Sequence, residues 1–198
     1  MTLATQVPFD TAEAVETRKV LHVGCGAPDP AKLPAAFFPA GAWSELRLDI
    51  DPDAQPDIIA SITEMPMVAT GSVDAVWSAH NLEHLASHEV PIALSEFHRV
   101  LAPGGFVLVT MPDLQQVAEL VASGRLEEAA YISAMGPIAP LDMLYGYRPA
   151  LAQGNAFMGH RTGFVAATLA LHLERAGFTA VRVQRDGHFA LWGSGVRA

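Results

Sequence analysis

The chain has 198 residues, 51% of them hydrophobic and 17% charged, with one cysteine and a formal net charge of −9. That is enough apolar material for one domain with a full core, and it excludes a disordered chain. The acidity argues against nucleic acid as a partner, because phosphate neutralisation calls for a basic stripe. Only residues 161–198 lean basic, with 5 Arg against 2 acids, while the first hundred residues hold 14 acids against 5 Lys/Arg.

No apolar run reaches the roughly 18 residues of a membrane span, so no membrane is expected. Residues 1–19 carry Asp10, Glu13 and Glu16 and lack a basic stretch followed by an apolar one, so no secretory leader is expected there. Cys25, without a second cysteine, fits a reducing interior; the expectation is a cytoplasmic protein.

Short β-like runs alternate with helical or looped segments, which is the pattern of a parallel α/β sheet. Residues 19–23 (Lys-Val-Leu-His-Val) read as a buried first strand ending at Gly24-Cys25-Gly26. Residues 45–50 read as a second strand closing on Asp49, Ile50 and Asp51, and residues 57–61 as a short third. Residues 73–78 are a fourth. A helix is predicted from Ser87, as N-cap, to Leu101, with Val90, Leu94, Phe97 and Leu101 forming one apolar stripe. Ala102-Pro103-Gly104-Gly105 stops it and turns the chain into a strand over 105–110. A further helix runs from after Thr162 to Gly177, and 180–183 and 189–192 read as closing strands joined at Asp186-Gly187. Between these elements, 115–160 predicts a helical stretch near 114–134 followed by an irregular cap studded with Gly and Pro.

Chemistry concentrates at Gly24-Cys25-Gly26. Glycines after a buried strand let the backbone approach a ligand and offer it N–H donors. About 25 residues on, Asp49 ends the next strand, where an acid can accept from both ribose hydroxyls of an adenosine ligand. A dinucleotide fits poorly. The third glycine of its fingerprint falls at Asp29, and Pro28 to Pro34 cannot open the helix N-terminus that a pyrophosphate needs. S-adenosylmethionine (SAM) has no phosphate, and its amino and sulfonium groups suit an acidic, glycine-lined cleft.

Residues 20–26, Leu48-Asp49-Ile50-Asp51, residues 72–77, Asn81-Leu82-Glu83-His84-Leu85 and Arg99 to Gly105, taken together, resemble the class I SAM-dependent methyltransferases over roughly residues 18–114. The resemblance implies a single Rossmann-like, doubly wound α/β sheet of about seven strands with the last antiparallel. The cap at 115–160 would be an insertion between strands five and six of one domain, 1–198. It implies SAM as cofactor, with Gly24, Cys25 and Gly26 on the methionine part, Asp49 on the ribose and Ile50 on the adenine. Ser61 and Ile62 would lie beside the adenine amino group, and Ser78 and His80 would face the transferring methyl. Three features depart from the family: His22 stands where an acid usually precedes the glycines, Ser61 replaces an Asp, and only residues 51–56 join strands two and three. A parallel crossover normally needs a dozen residues, so strand three should be a short edge strand.

His80-Asn81-Leu82-Glu83-His84 also matches His-x-x-Glu-His, a zinc-peptidase motif, with Glu96, His98 and His160 as the available third ligands and no motif supporting any of them. Under the methyltransferase reading the acceptor is a small molecule methylated on O or N, no metal is required, and His80 and His160 are the candidate catalytic bases. Tyr145, Tyr147, Arg148, His160 and Arg161 would shape the acceptor pocket, the arginines favouring a carboxylate or phosphate. A non-catalytic SAM- or nucleoside-binding protein is the alternative.

Overall fold

The computed structural model describes residues 17–198; the stretch 1–16, on which most of the leader-peptide expectation rests, lies outside the described residues. The chain builds β1 (Arg18–Val23), β2 (Trp43–Asp49), β3 (Ile58–Ile59), β4 (Val73–Ala79), α1 (Val90–Val100) and β5 (Leu101–Pro112) in turn. An insertion follows, made of α2 (Leu114–Ala122), a hairpin of β6 (Tyr131–Ser133) and β7 (Gly136–Ile138), α3 (Pro140–Tyr145) and α4 (Arg148–Ala152). Then α5 (Ala166–Arg175), β8 (Thr179–Arg185) and β9 (Ala190–Val196) close the fold.

Seven strands form one sheet in the order β3-β2-β1-β4-β5-β9-β8. β9 runs antiparallel to both neighbours, so the other six share one direction. Strand order reverses between β1 and β4, and ligands of open α/β sheets bind in the crevice outside the carboxyl ends of the strands at that point. The central strands are covered on both faces, which explains their unbroken apolar runs. On one face Leu21, Val23, Val76, Val107 and Val109 pack under α1 and α5. Leu94 and Phe97, fully buried, are the knobs of the α1 stripe that the sequence shows. On the other face Val20, Ala75, Trp77 and Leu108 are covered by the loop after the glycines, through Leu33 and Phe38. Among the described residues the crossovers on that side are loops and 3-10 turns, because Pro28, Pro30 and Pro34 deny the chain a regular helix.

β3 is the short edge strand expected, pairing only Leu48 with Ile58 and Asp49 with Ile59. α1 starts at Val90 with Glu89 as N-cap residue, not at Ser87; the Glu89 carboxylate accepts from the Ala86 N–H at 2.7 Å and so organises the turn before the helix. α2 ends at Ala122 instead of running to 134. Gly124 adopts φ +81 and, with Arg125, returns N–H bonds to Val121 and Leu120, a glycine C-terminal stop. Among the described residues, no helix is long and apolar enough to cross a membrane.

Candidate active site

β1 delivers the chain into a turn that requires glycine. Gly24 and Gly26 take φ +60 and +58, the left-handed region that other residues enter at a cost. A Cβ on Gly24 would lie 2.6 Å from the Asn81 side-chain amide, so the turn is packed directly against Asn81. That amide nitrogen, Nδ2, is buried and has no partner. Asp49, 8% exposed at the end of β2, accepts from the Gly26 N–H at 2.7 Å and from the Asp51 N–H at 2.9 Å. Two side chains that the sequence did not single out hold this corner. Arg47 donates to the carbonyls of Gly26, Ala54 and Gln55, tying the glycine turn to the β2–β3 loop. Lys32 donates to the carbonyls of Cys25 and Ala27 at 2.9 and 2.8 Å. Both contacts span the loops that a linear motif ignores.

Above the turn opens a cleft of about 560 Å³, within the usual range for a small-molecule site. Gly24, Gly26, Asp49, Ile50, Ser61 and Ile62 line it. Ile50 is 48% exposed there, an apolar side chain left open at the cleft wall. The insertion supplies the roof with residues 155–159, and Phe157, 54% exposed, also lines the cleft. Cys25 and Ser78 do not reach it. Their side chains are buried at 1% exposure beside the strands, and burial pushes the Cys25 thiol up, away from thiolate chemistry. The Ser61 hydroxyl is engaged with Thr63 at 2.7 Å. His22, in the place of the family acid, is buried with Nδ1 2.6 Å from a Glu45 carboxylate oxygen; burial dominates and lowers its pKa.

His80 follows β4 in a left-handed conformation, φ +48, with its N–H donating to the Thr110 carbonyl. It lines the cleft, and its Nδ1 lies 3.3 Å from Glu83, which is buried. Burial opposes the charge on Glu83, and partial desolvation opposes it on the half-exposed His80, yet their hydrogen bond and charges prevail: the His80 pKa is raised, with help from Asp186, and the Glu83 carboxyl is held down, with help from His84 and His160. His160 lines neither this cleft nor the second cavity below. Its Nδ1 donates toward the Met143 carbonyl at 2.9 Å, and its ring meets His84 edge-on at 4.9 Å.

Glu83, His84 and His160 bring ligand atoms within 4.8 Å of one another, so His160 is the third candidate that joins the motif in space. The arrangement is not that of the peptidase motif. His80 leaves a strand while Glu83 and His84 sit in the 3-10 turn Leu82–His84, so the two histidines do not share a helix face. His84 Nδ1 and Nε2 each lie 3.1 Å from a carbonyl oxygen, of Gly159 and His80.

Past His80 lies a second cavity of about 270 Å³, reached from the ends of β5 and β9 and walled in part by the β6–β7 hairpin. Thr110 lines it, 4% exposed, with a hydroxyl that has no partner. None of the cap residues expected to shape an acceptor pocket lines this second cavity. Arg148 is paired with Asp142 at 2.8 Å, the Tyr147 hydroxyl donates to the Met135 carbonyl, Tyr145 is exposed, and Arg161 faces Glu89 at the cofactor cleft.

A doubly wound sheet with a glycine turn and a strand-end carboxylate flanking its switch point defines an adenosyl-cofactor-binding Rossmann-like domain. Residues 21–109 match the methyltransferase domain family, from β1 through β5. Over that stretch the chain is similar to the class I SAM-dependent methyltransferases. Solved structures share the fold. A 1,6-didemethyltoxoflavin-N1-methyltransferase of Burkholderia thailandensis is 17% identical with TM-score 0.57, covering 91% of this chain and 71% of its own. An Aquifex aeolicus SAM-dependent methyltransferase is 16% identical with TM-score 0.57, covering 92% and 84%. Human N-acetylserotonin methyltransferase is 15% identical with TM-score 0.58, covering 91% and 48%. A search of curated proteins returns no match.

The cleft fits SAM on its own chemistry. The unpartnered Asn81 amide would donate to a methionine carboxylate, the Asp49 carboxylate would accept from a ribose, and Ile50 leaves an apolar face open, while the Gly26 N–H is already given to Asp49.

Proposed function

We propose that this protein is a SAM-dependent methyltransferase that methylates an O or N atom of a small molecule, with SAM along the cleft and His80 as the base where the cleft meets the second cavity. One observation carries the reading: His80 is the residue shared by the cofactor cleft and the second cavity, and its Nδ1 is directed at the buried Glu83. SAM supplies a methyl group bound to a positively charged sulfur. The protein's part is placement, since an in-line displacement accelerates chiefly by alignment. Gly24, Gly26 and Asn81 hold the amino-acid end, Asp49 the ribose, and Ile50 with Ser61 and Ile62 the adenine. With Nδ1–H donated to Glu83, His80 Nε2 would be free to take the proton from the acceptor's OH or NH.

His160 acts one layer back, as a positioning group for His84 and Glu83. His80→Ala is expected to hold S-adenosylhomocysteine (SAH) within twofold of wild type while turnover on an accepted substrate drops about 10²–10⁴-fold, the usual worth of a general base. Unchanged turnover in His80→Ala would remove it from the chemistry.

A further inference from the structure

Resting on that reading, we propose that the second cavity is the acceptor chamber, built for a compact, planar aromatic molecule that presents an OH or NH and carries no negative charge. Its size comes first. About 150 Å³ holds one benzene ring, so 270 Å³ takes one substituted ring or two fused ones. Its walls come second. Tyr131, Phe189 and Trp192 line it. Tyr131 and Phe189 stack at 6.1 Å and 17°, and Trp192 is itself stacked on Trp77 at 5.6 Å and 17°. These are fixed flat surfaces, which favour offset stacking with a flat ligand over a saturated one.

The polar groups give the charge preference. Asp186 lines the chamber, its carboxylate held by the N–H groups of His188 and Ala190 and by Trp192 Nε1 at 2.8–3.0 Å. Those bonds hold its carboxyl below the usual range although burial opposes it, so a fixed anion stands in the wall. Among the described residues no Lys or Arg lines the chamber. A ligand carboxylate or phosphate therefore meets the fixed Asp186 anion with no Lys or Arg to answer it, His80 and His188 being the basic side chains in the lining. The Thr110 hydroxyl, buried and unpartnered, is the group left to meet a ligand OH or NH, close to His80, whose N–H its own backbone carbonyl accepts. An orphaned buried hydroxyl in a native fold calls for a partner.

A second, independent observation marks the same place. Four non-glycine residues take positive φ among the described residues, and two of them, His80 at +48 and Phe189 at +62, border this chamber. For a bulky aromatic that conformation is an outlier, and such strain gathers at ligand-binding positions.

The test is calorimetric, with three probes titrated into the full-length protein both saturated with SAH and free of it: 2-naphthol, 6-hydroxy-2-naphthoate and decahydro-2-naphthol. The expected result is that 2-naphthol binds at least tenfold tighter than its anionic and saturated counterparts. Tyr131→Leu and Thr110→Val should each weaken 2-naphthol severalfold or more while leaving the SAH affinity within twofold. Equal binding of the naphthoate or the saturated alcohol, or 2-naphthol binding indifferent to both substitutions, overturns the proposal. SAH affinity is read in the same experiment, so a protein that binds SAH without the expected selectivity rejects the chamber alone. One that binds no SAH rejects the methyltransferase site.

Discussion

At the residue scale the site depends on two positions that tolerate little change. Gly24→Ala adds a Cβ 2.6 Å from the Asn81 amide and forces φ +60 on an L side chain. The expected outcome is at least a tenfold loss of SAH affinity by calorimetry, since the turn must move away from the ligand. An unchanged affinity would show that the turn does not touch the cofactor. His80 makes the second prediction. Partial desolvation would lower its pKa, but the Glu83 hydrogen bond and the charges of Glu83 and Asp186 leave it raised above 6.5. The stability this contributes is fully present below pH 6.5 and fades as pH climbs through the raised value. Activity runs the other way, because the base works only when unprotonated. The kcat/KM profile should rise through an inflection above pH 6.5, and Glu83→Gln should move it down. An inflection at or below 6.5 in wild type contradicts the role. Much of this was legible as residues. A strand running into Gly24-Cys25-Gly26, with Asp49-Ile50 one strand on, locates the cleft. Cys25 and Ser78 were not legible, because which way a side chain points off a strand end depends on packing. Nor were Asn81, Lys32 and Arg47, which meet the glycine turn only once the loops around it have folded.

At the element scale α1 anchors the core beneath the site. Phe97 is completely buried between the sheet and its neighbours, so Phe97→Ala should cost about 3–5 kcal/mol in chemical denaturation. The roof offers a subtler probe. Gly146 has φ +100, and a Cβ there would stand 1.9 Å from the Met158 carbonyl oxygen, beside the 155–159 segment that closes the cleft. Gly146→Ala should therefore raise the SAH dissociation constant severalfold through the roof. Wild-type SAH binding in that variant would show that the roof does not contact the cofactor. The alternating strands and the α1 stripe could be read from periodicity alone. The insertion could not: Gly124 stops α2 where the apolar pattern would have carried it on, and the β6–β7 hairpin is too short to leave an alternation.

At the scale of the whole molecule, two arginines of the C-terminal surplus serve the fold. Arg185 pairs with the buried Asp113 at 2.9 Å, and Arg197 donates to the carbonyls of Arg99 and Leu101. These cations knit β8 and β9 to the rest of the fold. A cofactor that binds only the folded chain must stabilise all of it. SAH at one hundred times its dissociation constant should add about 2.7 kcal/mol, raising Tm by several degrees.

The most direct measurement is an isothermal titration of SAH into the wild-type protein and into Asp49→Asn. The account predicts a one-to-one complex for wild type and affinity reduced tenfold or more when the carboxylate becomes an amide. A wild-type protein that gives no binding heat with SAH or SAM, or an Asp49→Asn variant that binds as well as wild type, would contradict it.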